Sequence, residues 1–235
     1  MSWYIGVDVG GTFTDFFAVD VENARFVVHK TPSTPGNPAE AILAGLDALS
    51  EREDIPGDAI GRLAHGTTVA TNALIQRRGA PIALITTKGF RDLLEIGRQV
   101  RPKMYDLKAD APPPLVPRQH RFEVAERMDA KGRPLTVLED ADIDAAIDQV
   151  EAAGAEACAV CLLFAFLNPE HEQRIGARLK ERLPNIAISL SSAVQPEFRE
   201  FERFSTTTLN AYLQPIVGRY MRHLGGELAK RAPRA

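Results

Sequence analysis

Residues 3–9 and 14–21 read as two strands, and only Gly10-Gly11-Thr12-Phe13 lies between them. Two β runs joined by a Gly-Gly turn make a hairpin. This feature constrains the fold most, because it fixes the chain's first sheet and gives the turn an unusual chemistry. Asp8 ends an apolar strand, where an unpaired carboxylate is costly. Two glycines let a backbone approach a bulky anion closely. Thr12 and Thr14 supply hydroxyls, and successive N–H groups form an anion nest. Asp8 or Asp15 is placed to hold hydrated Mg²⁺ beside a triphosphate. The plainer reading is a tight hairpin with exposed polar residues; two acids and two threonines around Gly10 and Gly11 favour phosphate. A strand follows the glycines, so this is not a dinucleotide fingerprint, and without Gly-Lys-Ser/Thr it is not a Walker loop.

The remaining chain alternates. Strands are expected at 25–30, 63–65, 81–86, 121–128, 158–164 and 187–190. Helices are expected at 39–49, 68–78 (stopped by Gly79), 140–153 (stopped by Gly154) and from Asn168-Pro169 to about 182. A last helix is expected from 205 onward, bent at Pro215. The class is α/β. The proline run 112–117 reads as a linker, giving regions 1–118, 119–204 and 205–235.

Composition narrows the function. Lys and Arg number 28 against 31 Asp and Glu, a net charge of −3, so no field draws the chain to nucleic acid or anionic lipid. The longest apolar run, 157–167, is too short to span a bilayer. The N-terminus lacks a basic segment and a cleavage site, so a cytoplasmic protein is expected. Cys158 and Cys161 stand alone; on a strand they point to opposite faces, which suits core packing.

Two further strings carry polar chemistry. His65-Gly66-Thr67-Thr68-Val69-Ala70-Thr71-Asn72 is expected where a strand feeds a helix N-terminus, a place that favours anions. Thr68 and Asn72 share one helix face, and the cluster suggests contact with substrate or a γ-phosphate. Thr67 or Thr68 also serves simply as an N-cap. His65 reads equally as a proton carrier or as a hydrogen-bonded structural histidine. Arg98 and Arg101 suit a bidentate clamp on carboxylate or phosphate, or a solvated charged surface.

A phosphate-gripping hairpin of this kind resembles the first phosphate motif of the actin-like ATPases. The strings 8–15, 65–74, 86–92, 96–99, 115–118 with 124–127, and 200–203 with 205–212 together resemble the N-terminal region of the hydantoinase A/5-oxoprolinase family. The resemblance implies an actin-like (ribonuclease H-like) fold. It implies a hairpin of Asp8, Gly10, Gly11, Thr12, Thr14 and Asp15 that binds ATP, with Mg²⁺ carried by the nucleotide near Asp8. Asp8, Asp15 and His65 are the expected catalytic residues; Gly66, Thr67, Thr68, Asn72, Arg98 and Arg101 are the expected substrate contacts. The implied reaction is ATP-dependent phosphorylation of a carbonyl oxygen of hydantoin, 5-oxoproline or a related lactam, imide or ketone. A hydantoinase B-type subunit is the implied partner, and homo-oligomerisation is open. The alternatives are a ketone carboxylase subunit, a small-molecule kinase of the same fold, and a non-catalytic fragment. Family members are longer, and no second Gly-Gly-Thr string follows Asp15. The chain is therefore expected to be an N-terminal part with little activity alone.

Overall fold

Burial alternates strictly along β1 (Trp3–Val9). Trp3, Ile5, Val7 and Val9 are buried, whereas Tyr4, Gly6 and Asp8 are exposed. The same alternation runs along β2 (Phe13–Asp20), with Thr14, Phe16, Ala18 and Asp20 inward. Period-two patterning of this kind marks a sheet with one covered face. The structure is a computed structural model describing residues 2–34, 36–100, 104–106, 109 and 112–235. It divides into two units, Met1–Arg78 with Ile216–Ala235, and Gly79–Pro215.

In the first unit, β3 (Arg25–Pro32) pairs antiparallel with β2 and extends two residues beyond the expected strand. After α1 (Pro38–Glu53), β4 (Ile60–Thr67) pairs parallel with β1, giving the order β3-β2-β1-β4. The buried face of α1 carries Ile42, Leu43, Leu46 and Leu49, the helical spacing seen in the sequence. It packs on Trp3, Ile5, Val7 and Phe16. Gly45 is required there, since a Cβ would sit 2.1 Å from the Phe16 ring. The opposite face of the sheet leaves Tyr4, Phe17, Phe26 and Val28 between 44% and 66% exposed.

Next comes α2 (Val69–Ile75), shorter than the expected helix. Its turn is completed by a left-handed Arg77 (φ 52°), not by Gly79. Gly79 has a packing role instead: a Cβ there would lie 2.1 Å from the Tyr212 ring.

The second unit holds β5 (Ile82–Thr87), the short α3 (Leu93–Ile96) and β6 (Arg121–Val124). The two-stranded pair β7 (Arg127–Met128) and β8 (Pro134–Thr136) precedes α4 (Asp140–Ala152) and β9 (Ala157–Cys161). Then follow α5 (Glu170–Arg182), β10 (Ala187–Leu190) and the single turn α6 (Ser191–Val194). Strands β10-β9-β5-β6 form a fully parallel sheet, and all of β5 and β9 is buried, as parallel strands require. The expected strand 121–128 is two strands, and the expected strand 158–164 stops at Cys161. The Cys158 and Cys161 thiols are fully buried in this core, and burial pushes Cys158 up to about 12.

The long helix α7 (Glu200–Arg231) starts five residues earlier than expected and runs through Pro215. Its residues up to Pro215 belong to the second unit, and those from Ile216 to the first. There Tyr220, Leu224 and Ala232 join the core under α1, and Arg231 pairs with Asp47 at 3.1 Å. The proline run 112–117 is no spacer: Val116 is fully buried and Leu115 packs beside it on Ile82 and Leu84. The units therefore break at 78/79 and 215/216, not at 118 and 204. The cause is that β5 pairs with both β6 and β9, tying residues on each side of 118 into one sheet.

The carboxyl ends of β5 and β9 are where an open parallel sheet usually takes a ligand, because the strand order reverses there. In this unit the chain's own carboxylates occupy that place. Thr87 Oγ1 donates to Glu126 and accepts from Leu163 N at 3.1 Å; Glu126 meets His171 Nδ1 at 2.8 Å. Glu172 accepts from Leu162 N (2.9 Å), Ser191 Oγ (2.6 Å) and Ser192 N (2.8 Å). The fully buried Arg203 donates to Ser191 Oγ, Glu197 O and Leu162 O. Burial raises the Glu172 carboxyl and lowers the Arg203 guanidinium, while hydrogen bonds from Ser191, Ser192 and Leu162 oppose the first shift and the Glu172 charge opposes the second.

Glu172→Ala is expected to cost about 1–3 kcal/mol, because it leaves the N–H groups of Leu162 and Ser192 and the Ser191 hydroxyl without their acceptor; urea unfolding followed by circular dichroism measures it. Gly57→Ala is expected to cost about 1–3 kcal/mol. A Cβ at Gly57 would lie 1.6 Å from the Arg231 carbonyl oxygen, and neither backbone can yield without lifting the end of α7. Thermal unfolding checks it, with Gly36→Ala, which meets no atom within 4 Å, as the reference.

Candidate functional site

The hairpin loop is held from β3's exit. Ser33 N donates to Thr12 O (2.9 Å), Ser33 Oγ donates to Gly10 O (2.8 Å), and Thr14 Oγ1 shares a 3.0 Å hydrogen bond with Ser33 Oγ. Gly10 N closes the turn on Phe13 O at 3.0 Å. The N–H groups of Gly11 and Thr12 make no hydrogen bond among the described residues. Above Gly11 the space is open, since a Cβ there meets nothing within 4 Å. Two adjacent N–H donors without a partner among the described residues, beside open space, are what an anion nest requires. Gly10 and Thr14 contribute differently from expectation: Gly10 N is spent in the turn, and Thr14 is fully buried.

Two hollows flank this loop. The first, about 580 Å³, is lined by Gly10, Gly11, Ser33, Thr34 and Asn37 on one side. Thr67, Thr68, Asn72 and Gln76 line another side, with Ile216, Arg219, Tyr220 and His223 from α7. The second, about 600 Å³, lies on the other face of the sheet and is lined by Asp8, Asp15, Phe17, Val28, His65 and Gly66. Strand alternation causes the split: Asp8 and Asp15 are cross-strand partners facing away from α1, while Val9 and Thr14 face it.

The predicted residues therefore divide. Gly10, Gly11, Thr67, Thr68 and Asn72 meet in the first hollow, and Asp8, Asp15 and Gly66 in the second. Asp15 is paired with Lys30 at 2.9 Å. No ion pair reaches Asp8 among the described residues, so Asp8 is the carboxylate better suited to a hard cation. Thr68 precedes α2 without capping it; its hydroxyl accepts from Asn72 Nδ2 (3.1 Å), while Thr67 Oγ1 accepts from Val69 N (3.3 Å). A helix of seven residues brings little dipole, so the first hollow depends on side chains and the hairpin loop. Arg98 belongs to the second unit, where its Nε donates to Glu202 at 2.6 Å. Arg101 lies outside the described residues.

Sequence reasoning missed Ser33, Thr34, Tyr220 and His223. The string Thr31-Pro-Ser-Thr was legible only as a loop, and nothing in 216–223 shows that this helix returns to the first sheet.

His65 faces the α1 side, in register with Val7, and its ring lies 5.8 Å from that of Tyr220. His65 Nε2 and Tyr220 Oη are both buried without a hydrogen bond of normal geometry. Burial lowers the His65 pKa. Burial also raises the Tyr220 pKa, while the Thr67 hydroxyl pulls it the other way. Both groups are neutral near pH 7. A histidine whose folded pKa lies below its ordinary value of 6.5 leaves stability intact above pH 6.5 and removes it as pH falls through the folded pKa. The unfolding midpoint is therefore expected to drop below pH 6.5, and His65→Gln is expected to flatten that part of the profile. Thermal melts of both proteins from pH 8 to pH 5 measure it.

Comparison with known proteins agrees with this architecture. Residues 4–183 match the hydantoinase/oxoprolinase N-terminal region family. The alpha subunit of caprolactamase from Pseudomonas jessenii is 36% identical over 233 residues, covering 94% of this chain and 32% of that protein. A crystal structure titled ATP-dependent caprolactamase from the same organism superposes with a TM-score of 0.88 at 34% identity, covering 97% of this chain and 34% of that one. 5-Oxoprolinase 1 of Arabidopsis thaliana is 32% identical over 244 residues, covering 92% of this chain and 19% of that protein. The chain thus spans between 19% and 34% of the length of these relatives. It belongs to the hydantoinase/oxoprolinase family, as its N-terminal region.

Proposed function

We propose that this chain is the phosphate-binding part of an ATP-dependent cyclic amide hydrolase built on an actin-like ATPase fold. The observation that carries the reading is the Ser33-braced hairpin, which presents the free N–H groups of Gly11 and Thr12 under open space. Phosphoryl transfer depends mainly on positioning and charge neutralisation, and rigid backbone donors supply both. The amide oxygen of the substrate forms a bond to the γ-phosphorus as the bond to the bridging oxygen breaks and ADP leaves. Water then adds to the activated carbon, the ring C–N bond opens to leave an amine and an acyl phosphate, and a second water splits the acyl phosphate into carboxylate and phosphate. Mg²⁺ bound with the nucleotide would neutralise phosphate charge, and Asp8 fits it through a carboxylate with no ion pair. Neutral His65 is suited to accept a proton. Relatives named as subunits support assembly with a second, B-type subunit.

A second reading rests on a specific likeness. The acetone carboxylase nucleotide-free structure superposes with a TM-score of 0.85 at 28% identity, covering 97% of this chain and 34% of that one. In that reading the phosphorylated oxygen belongs to a ketone enolate, and the activated carbon is carboxylated.

A thermal-shift titration with Mg-ATP tests the nucleotide site. At 100 times the dissociation constant a ligand adds about 2.7 kcal/mol. Wild type is expected to show a saturable rise in midpoint, and Gly11→Ala to lose it, because the new methyl fills ligand space without touching the protein. Equal shifts in both proteins, or none at millimolar Mg-ATP, would count against the reading. Phosphate release dependent on caprolactam or 5-oxoproline, with the remaining family regions and partner subunit supplied, separates hydrolase from carboxylase.

A further inference from the structure

The first hollow is lined by no carboxylate among the described residues, although acidic residues outnumber basic ones 31 to 28 in the chain. Its charged groups are Arg78 and Arg219, His223 adds ring nitrogens, and the rest of its polar lining is hydroxyl, amide and backbone. Strand alternation keeps Asp8 and Asp15 on the other face. Such a cavity favours anions whatever the net charge of the protein.

Four of the lining residues, Ile216, Arg219, Tyr220 and His223, stand at positions i, i+3, i+4 and i+7 of α7, a single helix face. Ile216 and Tyr220 anchor this face toward the hydrophobic side, with Tyr220 8% exposed in the core. Arg219 and His223, one turn apart, are exposed beside it. The helix thus sets the Arg219 guanidinium and the His223 ring in the same hollow as the Gly11 N–H.

We propose that Arg219 and His223 form the second half of a polyphosphate site, gripping phosphate oxygens of a chain whose other end rests on the Gly11–Thr12 N–H groups. This deepens the nucleotide reading of the same hollow and rests on it for the identity of the ligand. Its own content is narrower: the C-terminal stretch of the chain supplies binding residues to the N-terminal hairpin. A single phosphate needs only the loop, whereas a di- or triphosphate uses both halves. Arginine suits the task because its fork holds phosphate oxygens bidentately.

Inorganic pyrophosphate and inorganic phosphate, titrated into ¹⁵N-labelled protein, test this without a nucleoside. Wild type is expected to bind pyrophosphate more tightly than phosphate, with shifts at Gly11 and Thr12. Arg219→Gln is expected to weaken pyrophosphate by about tenfold, the scale of a charge-assisted contact, and His223→Gln by about threefold, the scale of a single hydrogen bond. Phosphate binding should change little. Arg222→Gln, exposed on the same helix and absent from the lining, is the control for lost charge. Pyrophosphate binding that is unchanged in both variants, equally weakened in the control, or absent from wild type would overturn the proposal. If pyrophosphate behaves as expected while Mg-ATP gives no shift, the nucleotide reading falls and the polyphosphate site stands. If Mg-ATP binds with no dependence on Arg219 or His223, the site falls and the nucleotide reading stands.

Discussion

Ser33 is the hinge on which the first unit's chemistry turns. Its hydroxyl and its N–H together occupy the carbonyls of Gly10 and Thr12 and the hydroxyl of Thr14. The carbonyls of Gly10, Thr12 and Phe13 are all occupied, while the N–H groups of Gly11 and Thr12 have no partner among the described residues. A loop with its polarity sorted in this way attracts anions and costs nothing to reorganise when one arrives, the property that makes preorganised dipoles effective in catalysis. Without Ser33 the same glycines would be free to flip their peptide groups, and Gly10-Gly11 would be an ordinary turn.

The second unit solves the opposite problem. A parallel sheet with a reversal of strand order opens a crevice at its carboxyl edge. Glu126 and Glu172 fill that crevice with carboxylates that accept from Thr87, Leu162, Ser191 and Ser192. An incoming anion would have to displace an internal one already holding three good hydrogen bonds. A buried polar network such as Glu172, Ser191 and Arg203, joined through the Ser191 hydroxyl, brings specificity of structure more surely than stability. At the carboxyl ends of β5 and β9 the second unit's polar groups are thus partnered by its own side chains.

How much of this is legible in the sequence follows from the range of each interaction. The β1–β2 hairpin, the α1 face through Ile42, Leu46 and Leu49, and the Gly154 stop (φ 62°) all depend on residues close together in the chain, and local patterning exposes them. The division into units does not. It depends on β5 choosing β6 and β9 as neighbours, and on α7 continuing through Pro215, whose ring breaks one helix hydrogen bond but is tolerated by a helix of 32 residues. The proline run 112–117 misled for the same reason: composition says extended, but only tertiary packing places Val116 in a core. Glu126, His171 and Arg203 were visible as strings without a physical role, because their partners lie 12 to 45 residues away.

The candidate site shows the limit most clearly. Read as a string, residues 8–15 look like one cluster of acids, glycines and threonines around a phosphate. The period of a strand is two, so a step of one residue moves a side chain through the sheet. Asp8 and Asp15 therefore share one hollow, while Val9, Gly10 and the Thr67–Asn72 group share another. Only at the tip of the hairpin does the chain turn over the sheet edge, and of the two glycines there, Gly10, whose Cβ would lie 3.0 Å from Phe13 O, and Gly11, only Gly11 has open space above it. A ligand that uses both the carboxylates and the loop donors has to cross at that residue. The glycine is required less for its backbone freedom, since its φ is not in the left-handed region, than for the passage it leaves between two faces that alternation would otherwise keep apart.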